Sequence, residues 1–239
     1  MKNQTKKVTQ EILAQKNEEK KEILQRFFKT GKGEYAEGDL FLGVMVPNVR
    51  RIVKKYNAEL NEIQELIRNK YHEIRLCGFL LLVKKYEQTK KQNKKQETKK
   101  IIDFYLINLK HANNWDLVDL SCYKILGDYL TQNKKERKIL YKLAKSKNMW
   151  ERRTSIVSTM TLIKKGELQD TYNISKELLN DKEDLMHKAV GWLLREAGKK
   201  DKKQLEKFLQ KNIKKIPRTT LRYAIEKFPE HERQKYLKL

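Results

Sequence analysis

Apolar residues recur every three to four positions along most of this chain, with charged residues between them. That period predicts amphipathic helices. It predicts one helix over 8–28, one opening at Pro47 and ending near Tyr56, and others over 59–69 and 72–86. Pro47 suits a first helical turn, with Val46 extended before it. No alternating run followed by an Asn-Gly or Asp-Gly turn occurs, and Pro47, Pro217 and Pro229 all fit helix starts. Residues 84–100 have the lowest complexity, and 88–97 are expected to be a solvated connector that turns helical toward Ile101. Residues 1–7 are expected to be flexible.

Beyond residue 110 the pattern repeats. Trp115-Asp-Leu-Val-Asp, Trp150-Glu-Arg-Arg-Thr and Leu185-Met-His-Lys-Ala align at a spacing of 35, and Ile216-Pro-Arg-Thr-Thr follows 31 later. A second helical pattern falls between successive members, at 134–145, 167–179 and 201–213. Helix pairs of this length imply an all-α, HEAT-like helical-repeat solenoid of about six pairs, forming a single domain over residues 1–239.

The stretch from Asn113 to Leu130 is the most informative. Asn113 and Asn114 are helix N-cap residue types. At about 100° per residue, Trp115, Val118, Cys122, Ile125, Leu126 and Tyr129 share one face. Asp119 lies at the edge of that face, one turn after Trp115. Asp116 is a first-turn residue, where a carboxylate complements the helix dipole, and is expected to point toward the helix surface. A carboxylate at Asp119, beside an apolar face and an indole, is either a functional group or half of a structural ion pair. In the next repeat Arg153 falls within the face of Ile156, Val157 and Met160, and Arg152 points about 100° away. An arginine in an apolar face must find a partner. Stacked repeats would put Trp115, Asp119, Arg153 and Trp192 on one concave surface.

Charge adds a partner to this picture. Lys+Arg number 55 against 31 Asp+Glu, a formal net charge of +24. Such an excess costs self-repulsion and points to a polyanion, nucleic acid first and an anionic membrane surface second. No run of about 18 apolar residues could span a bilayer, and the N-terminus has no apolar signal segment. Cys77 and Cys122 sit in apolar helical patterns, as buried reduced thiols do. His72, His111, His187 and His231 are scattered without metal-ligand spacing, so no metal site is expected. Thr30–Asp39 is the only Gly-rich loop. It lacks the Gly-Lys-Ser/Thr of a Walker A loop and reads as a folded connector, with a phosphate cradle as the alternative.

Five segments, taken in order, carry a resemblance: Phe27 to Tyr35, Phe41 to Pro47, Asn113 to Asp119, Trp150 to Arg153, and His187 to Glu196. Together they resemble the AlkD family of DNA alkylation-repair glycosylases over roughly residues 20–230. The resemblance implies a basic HEAT-like superhelix that holds duplex DNA and excises cationic N3- and N7-alkylated purines. By position it implies Asp119 as catalytic carboxylate, Trp115 and Trp192 as active-site indoles, and Arg153 as active-site arginine. DNA contacts are expected from Arg153, Arg152, Lys188, Tyr35, Arg50, Arg51 and Arg222. No cofactor and no metal are implied. The expectation is a monomeric, monofunctional glycosylase acting on double-stranded DNA with alkylated bases, cytoplasmic and nucleoid-associated, with no membrane partner. A non-enzymatic HEAT-like DNA-binding or scaffold protein is the alternative.

Overall fold

The computed structural model describes residues 4–238. They form fifteen α-helices joined by turns and loops, and among them no β-strand; one isolated bridge pairs Leu40 with Tyr71. No described helix is long and apolar enough to cross a membrane. The fold class is the all-α helical repeat that the pattern predicts. The chain divides into two compact units, Met1–Ser121 and Cys122–Leu239.

The first unit contains α1 (Gln4–Leu13), α2 (Glu18–Phe27), α3 (Val46–Lys55), α4 (Leu60–Ile67), α5 (His72–Lys91), α6 (Lys95–Asn108) and most of α7 (Trp115–Cys122). Helix α5 is its axis, with every residue from His72 to Val83 buried. Helices α3, α4 and α6 pack against it, so a helix apolar nearly all round finds cover on every side.

Three boundaries differ from the sequence pattern. The helix expected over 8–28 breaks before Asn17, whose side chain caps α2 by accepting from the Lys20 N–H at 2.8 Å. A local cap outcompetes a continuous apolar period. Gln4 to Lys7 belong to α1, where the Gln4 N–H donates to Glu62 at 3.0 Å and its side-chain amide to the Asn57 carbonyl at 2.8 Å. Residues 1–3 of that expected tail lie outside the described residues. The 88–97 connector is solvated yet mostly helical. Helix α5 continues to Lys91 and α6 begins at Lys95, because Lys, Gln and Glu are good helix formers.

The second unit opens with a π-helical turn, Tyr123–Gly127, followed by α8 (Asp128–Gln132), α9 (Lys138–Ala144), α10 (Met149–Lys164), α11 (Gln169–Glu177), α12 (Asp184–Lys200), α13 (Lys202–Asn212), α14 (Arg218–Ala224) and α15 (Glu230–Lys238). The repeat read from sequence marks the starts of α7, α10, α12 and α14, and α9, α11 and α13 are the second helices. Helix α10 is buried continuously from Arg153 to Met160, with α9, α11, α12 and the π turn packed on it. At Gly191 a Cβ would lie 2.5 Å from Tyr223 Cβ and 2.6 Å from the Thr220 carbonyl oxygen. Only glycine lets α12 and α14 approach this closely.

Candidate functional site

In the first unit the segment after α2 is built as a shelf. Gly33 and Gly38 take positive φ, as a connector requires. The Gly31 N–H donates to Glu34 and the Gly33 N–H to Glu37, both at 2.8 Å. The N–H groups that a phosphate cradle would need are therefore satisfied by the loop's own carboxylates, and the loop is a connector. Tyr35 sits half-buried within it. Further on, buried Glu73 accepts from the N–H groups of Leu42, Gly43 and Val44 at 2.9–3.2 Å. Gly43 has φ 81°, and a Cβ there would lie 2.0 Å from the Asn17 carbonyl oxygen. Glu73 thus clamps this strap to α5 with charge-assisted bonds.

On this shelf stands an aromatic stack. Phe28 lies parallel to Trp115, with centroids 5.2 Å apart and planes at 19°. It also stacks on Phe41 at 5.0 Å. Phe27 meets Trp115 edge-on at 5.9 Å and is itself 61% exposed. Trp115 is half-buried, so one side of the indole is braced and part of it stays open.

Beneath the stack runs a buried chain of charges. Arg75 Nη2 donates to Asp39 Oδ1 at 2.6 Å, His72 Nδ1 lies 3.1 Å from Asp39 Oδ2, and His72 Nε2 lies 2.9 Å from Asp116 Oδ2. Burial opposes charge on His72, yet Asp116 and Asp39 raise its pKa to about 9. Burial likewise pushes the Asp39 carboxyl up, but His72 and Arg75 hold it below its ordinary value. Asp116 does not point toward the helix surface as expected. It is buried and faces His72, which a first-turn carboxylate does when an imidazolium awaits it.

Helix α7 begins where Asn113 and Asn114 suggest. Asn114 Oδ1 accepts from the Trp115 N–H at 2.8 Å, and Asp116 Oδ1 from the Leu117 N–H at 2.8 Å. Leu117 and Val118 are fully buried, whereas Trp115 and Asp119 share the half-exposed stripe one turn apart. A carboxylate one turn from an indole that is braced by Phe28 and Phe27 suits a flat or cationic group.

In the second unit Asn148 caps α10. Arg153 is 6% exposed and donates from Nη1 to the Leu185 carbonyl at 2.8 Å, in keeping with its place in the apolar face. Arg152 is held elsewhere. It grips Asp181 with Nε at 2.6 Å and Nη2 at 3.1 Å, while Nη1 donates to the carbonyls of Ser146 and Lys147. Its fork ties the start of α10 to the turn before α12. Trp150 is core, whereas Trp192 is half-buried on α12. Lys188 pairs with Asp184 at 2.7 Å. Arg222 is exposed on α14, and Arg50 and Arg51 are exposed on α3.

Phe27, Phe28, Phe41, His72, Asp39 and Glu73 are not singled out as site residues by the sequence. One signal is present in it: His72, Glu73 and Arg75 open a helix that is otherwise an apolar run to Val83, and polar groups so placed must be partnered.

The family model of a DNA alkylation repair enzyme matches residues 8–228. Among solved structures, a predicted DNA alkylation repair enzyme from Enterococcus faecalis is similar at 17% identity and a TM-score of 0.71, covering 90% of this chain and 98% of its own. At that identity the likeness establishes the fold. No curated protein matches the chain significantly.

Proposed function

The chain belongs to the family of DNA alkylation repair enzymes, and on that premise we propose that it is a DNA glycosylase that excises cationic N3- and N7-alkylated purines from duplex DNA. The observation that supports this most is the half-exposed stripe of α7. There Asp119 stands one turn from an indole braced by Phe28 and Phe27.

A 7-alkylguanine or 3-alkyladenine already carries positive charge. When its C1′–N bond breaks, the base leaves neutral with the electron pair, and an oxocarbenium-like sugar remains. Asp119 stabilises that cation and orients the water that attacks C1′. Trp115 offers a π face to the same charge and excludes bulk water. For Trp192 and Arg153 of the second unit we propose an indole face and a backbone phosphate contact on the DNA. Exposed cations such as Arg50, Arg51 and Arg222 add the salt-dependent term. We assign no general acid to the leaving base; His72, which meets α7 at Asp116, is buried between two carboxylates. Only bases that are already cationic before the bond breaks are therefore substrates. The protein acts as a monomer without metal or cofactor.

The test is release of free bases from defined duplexes under single-turnover conditions. Release of 7-methylguanine and 3-methyladenine, with uracil and hypoxanthine left in place, supports the reading. Binding without any base release would instead make the protein a DNA-binding scaffold.

A further inference from the structure

We propose that His72 is a positioning residue for base release: held between Asp39 and Asp116, it fixes the first turn of α7 and, through Phe28, the ring plane of Trp115. The inference rests on the glycosylase reading and names a residue that never meets the DNA, since its side chain is 2% exposed.

Geometry sets the protonation state. An ionised carboxylate only accepts hydrogen bonds, and a neutral imidazole has a single N–H. Both ring nitrogens of His72 face a carboxylate oxygen, at 3.1 and 2.9 Å. Both bonds form only when the ring is an imidazolium. With Arg75 on the other oxygen of Asp39, the buried cluster then holds two positive and two negative charges. Neighbouring Glu73 turns its oxygens to the N–H groups of residues 42–44 and takes no part. Loss of the His72 proton would leave a net buried negative charge and set a ring lone pair against a carboxylate, deep in a low-dielectric interior.

Two routes lead from this ring to Trp115. Asp116 is the next residue in the chain, so a bond on its side chain restrains the turn that also carries Asp119. The second route is aromatic. Phe41 stacks on His72 at 4.3 Å and 17°, Phe28 lies 5.1 Å from His72, and Phe28 stacks on Trp115. An imidazolium under Phe41 and Phe28 also gains cation–π attraction that the neutral ring lacks. Proton loss at His72 therefore loosens the helix start and the indole's support together.

The experiment compares wild type with His72→Gln, which keeps an amide donor but no charge. The readouts are single-turnover base release from pH 6 to 10, duplex Kd, and the ¹⁹F signal of Trp115 in 5-fluorotryptophan protein. That signal is assigned by its loss in Trp115→Phe. A misplacement of about 1 Å at a site costs about 10²-fold in rate, so the variant should fall by about that factor with Kd nearly unchanged. Wild-type rate and the Trp115 signal should both titrate with a midpoint near 9, and both transitions should vanish in the variant. A variant with full rate, or one that loses rate and Kd in parallel, overturns the inference. So does a wild-type Trp115 signal that is indifferent to pH near 9, a test that needs no folded variant. Wild type that releases no base overturns the glycosylase reading, and the ¹⁹F titration then still decides whether His72 governs Trp115.

Discussion

Raising the pH from 6.5 to 9 should destabilise the first unit by about 3 kcal/mol. The pKa of His72 is about 9 in the folded protein against an ordinary value of 6.5, and each tenfold gain in proton affinity is worth about 1.4 kcal/mol. The sign follows from a raised pKa. The contribution is fully present below 6.5, declines as the unfolded chain releases its proton first, and is gone once the pH passes about 9. Other perturbed groups act outside this window. Burial pushes the Cys77 thiol up to about 12, so its effect begins only as an unfolded thiol ionises near 9. Burial and nearby cations lower His111, which therefore acts below 6.5. Asp39, held low by His72 and Arg75 against burial, acts at acid pH. The assay is urea unfolding at half-unit pH steps, followed through the first unit by 5-fluorotryptophan at Trp115, for wild type and His72→Gln. Wild-type stability should slope downward across the window while the variant stays nearly level. A level wild-type curve, or equal slopes in both proteins, would refute the imidazolium bridge.

Three further outcomes follow from the same geometry. Glu73→Ala leaves the N–H groups of Leu42, Gly43 and Val44 buried without their acceptor and should cost about 3–5 kcal/mol in chemical denaturation, the range for a broken buried charged interaction. Arg152→Ala removes the fork on Asp181 and should lower stability by about 2 kcal/mol while duplex Kd changes little; a large rise in Kd without loss of stability would place Arg152 at the DNA interface. Duplex affinity should fall steeply with salt, by about 0.9 in the log–log slope per neutralised phosphate, and a slope near zero would remove DNA as the main partner.

Much of the fold is legible in the sequence because it is periodic. The spacing of Trp115, Trp150 and Leu185 locates the starts of α7, α10 and α12, and the phase of α10 separates buried Arg153 from Arg152. What periodicity does not reveal is pairing across distance. His72 is 33 residues from Asp39 and 44 from Asp116; its place at the head of an apolar run says that it needs a partner, and nothing local says that Asp39 and Asp116 are the partners. Asp116 misleads for that reason, since a first-turn carboxylate has an adequate local explanation. The break before Asn17 is hidden by the opposite effect, a continuous apolar period that masks a single capping side chain. Phe27 opens a segment that carries the resemblance but receives no role there, because an exposed aromatic gains meaning only once Trp115 is beside it.

Asp119→Asn probes whether an ionised Asp119 drives base release, as we propose, because the swap keeps shape and removes charge. Single-turnover release of 7-methylguanine should fall about 10²–10³-fold, the usual loss for one electrostatic element of this kind, with duplex Kd and unfolding midpoint nearly unchanged. Full activity in the variant, or a loss of rate matched by a loss of stability, would contradict the account and make Asp119 a structural residue.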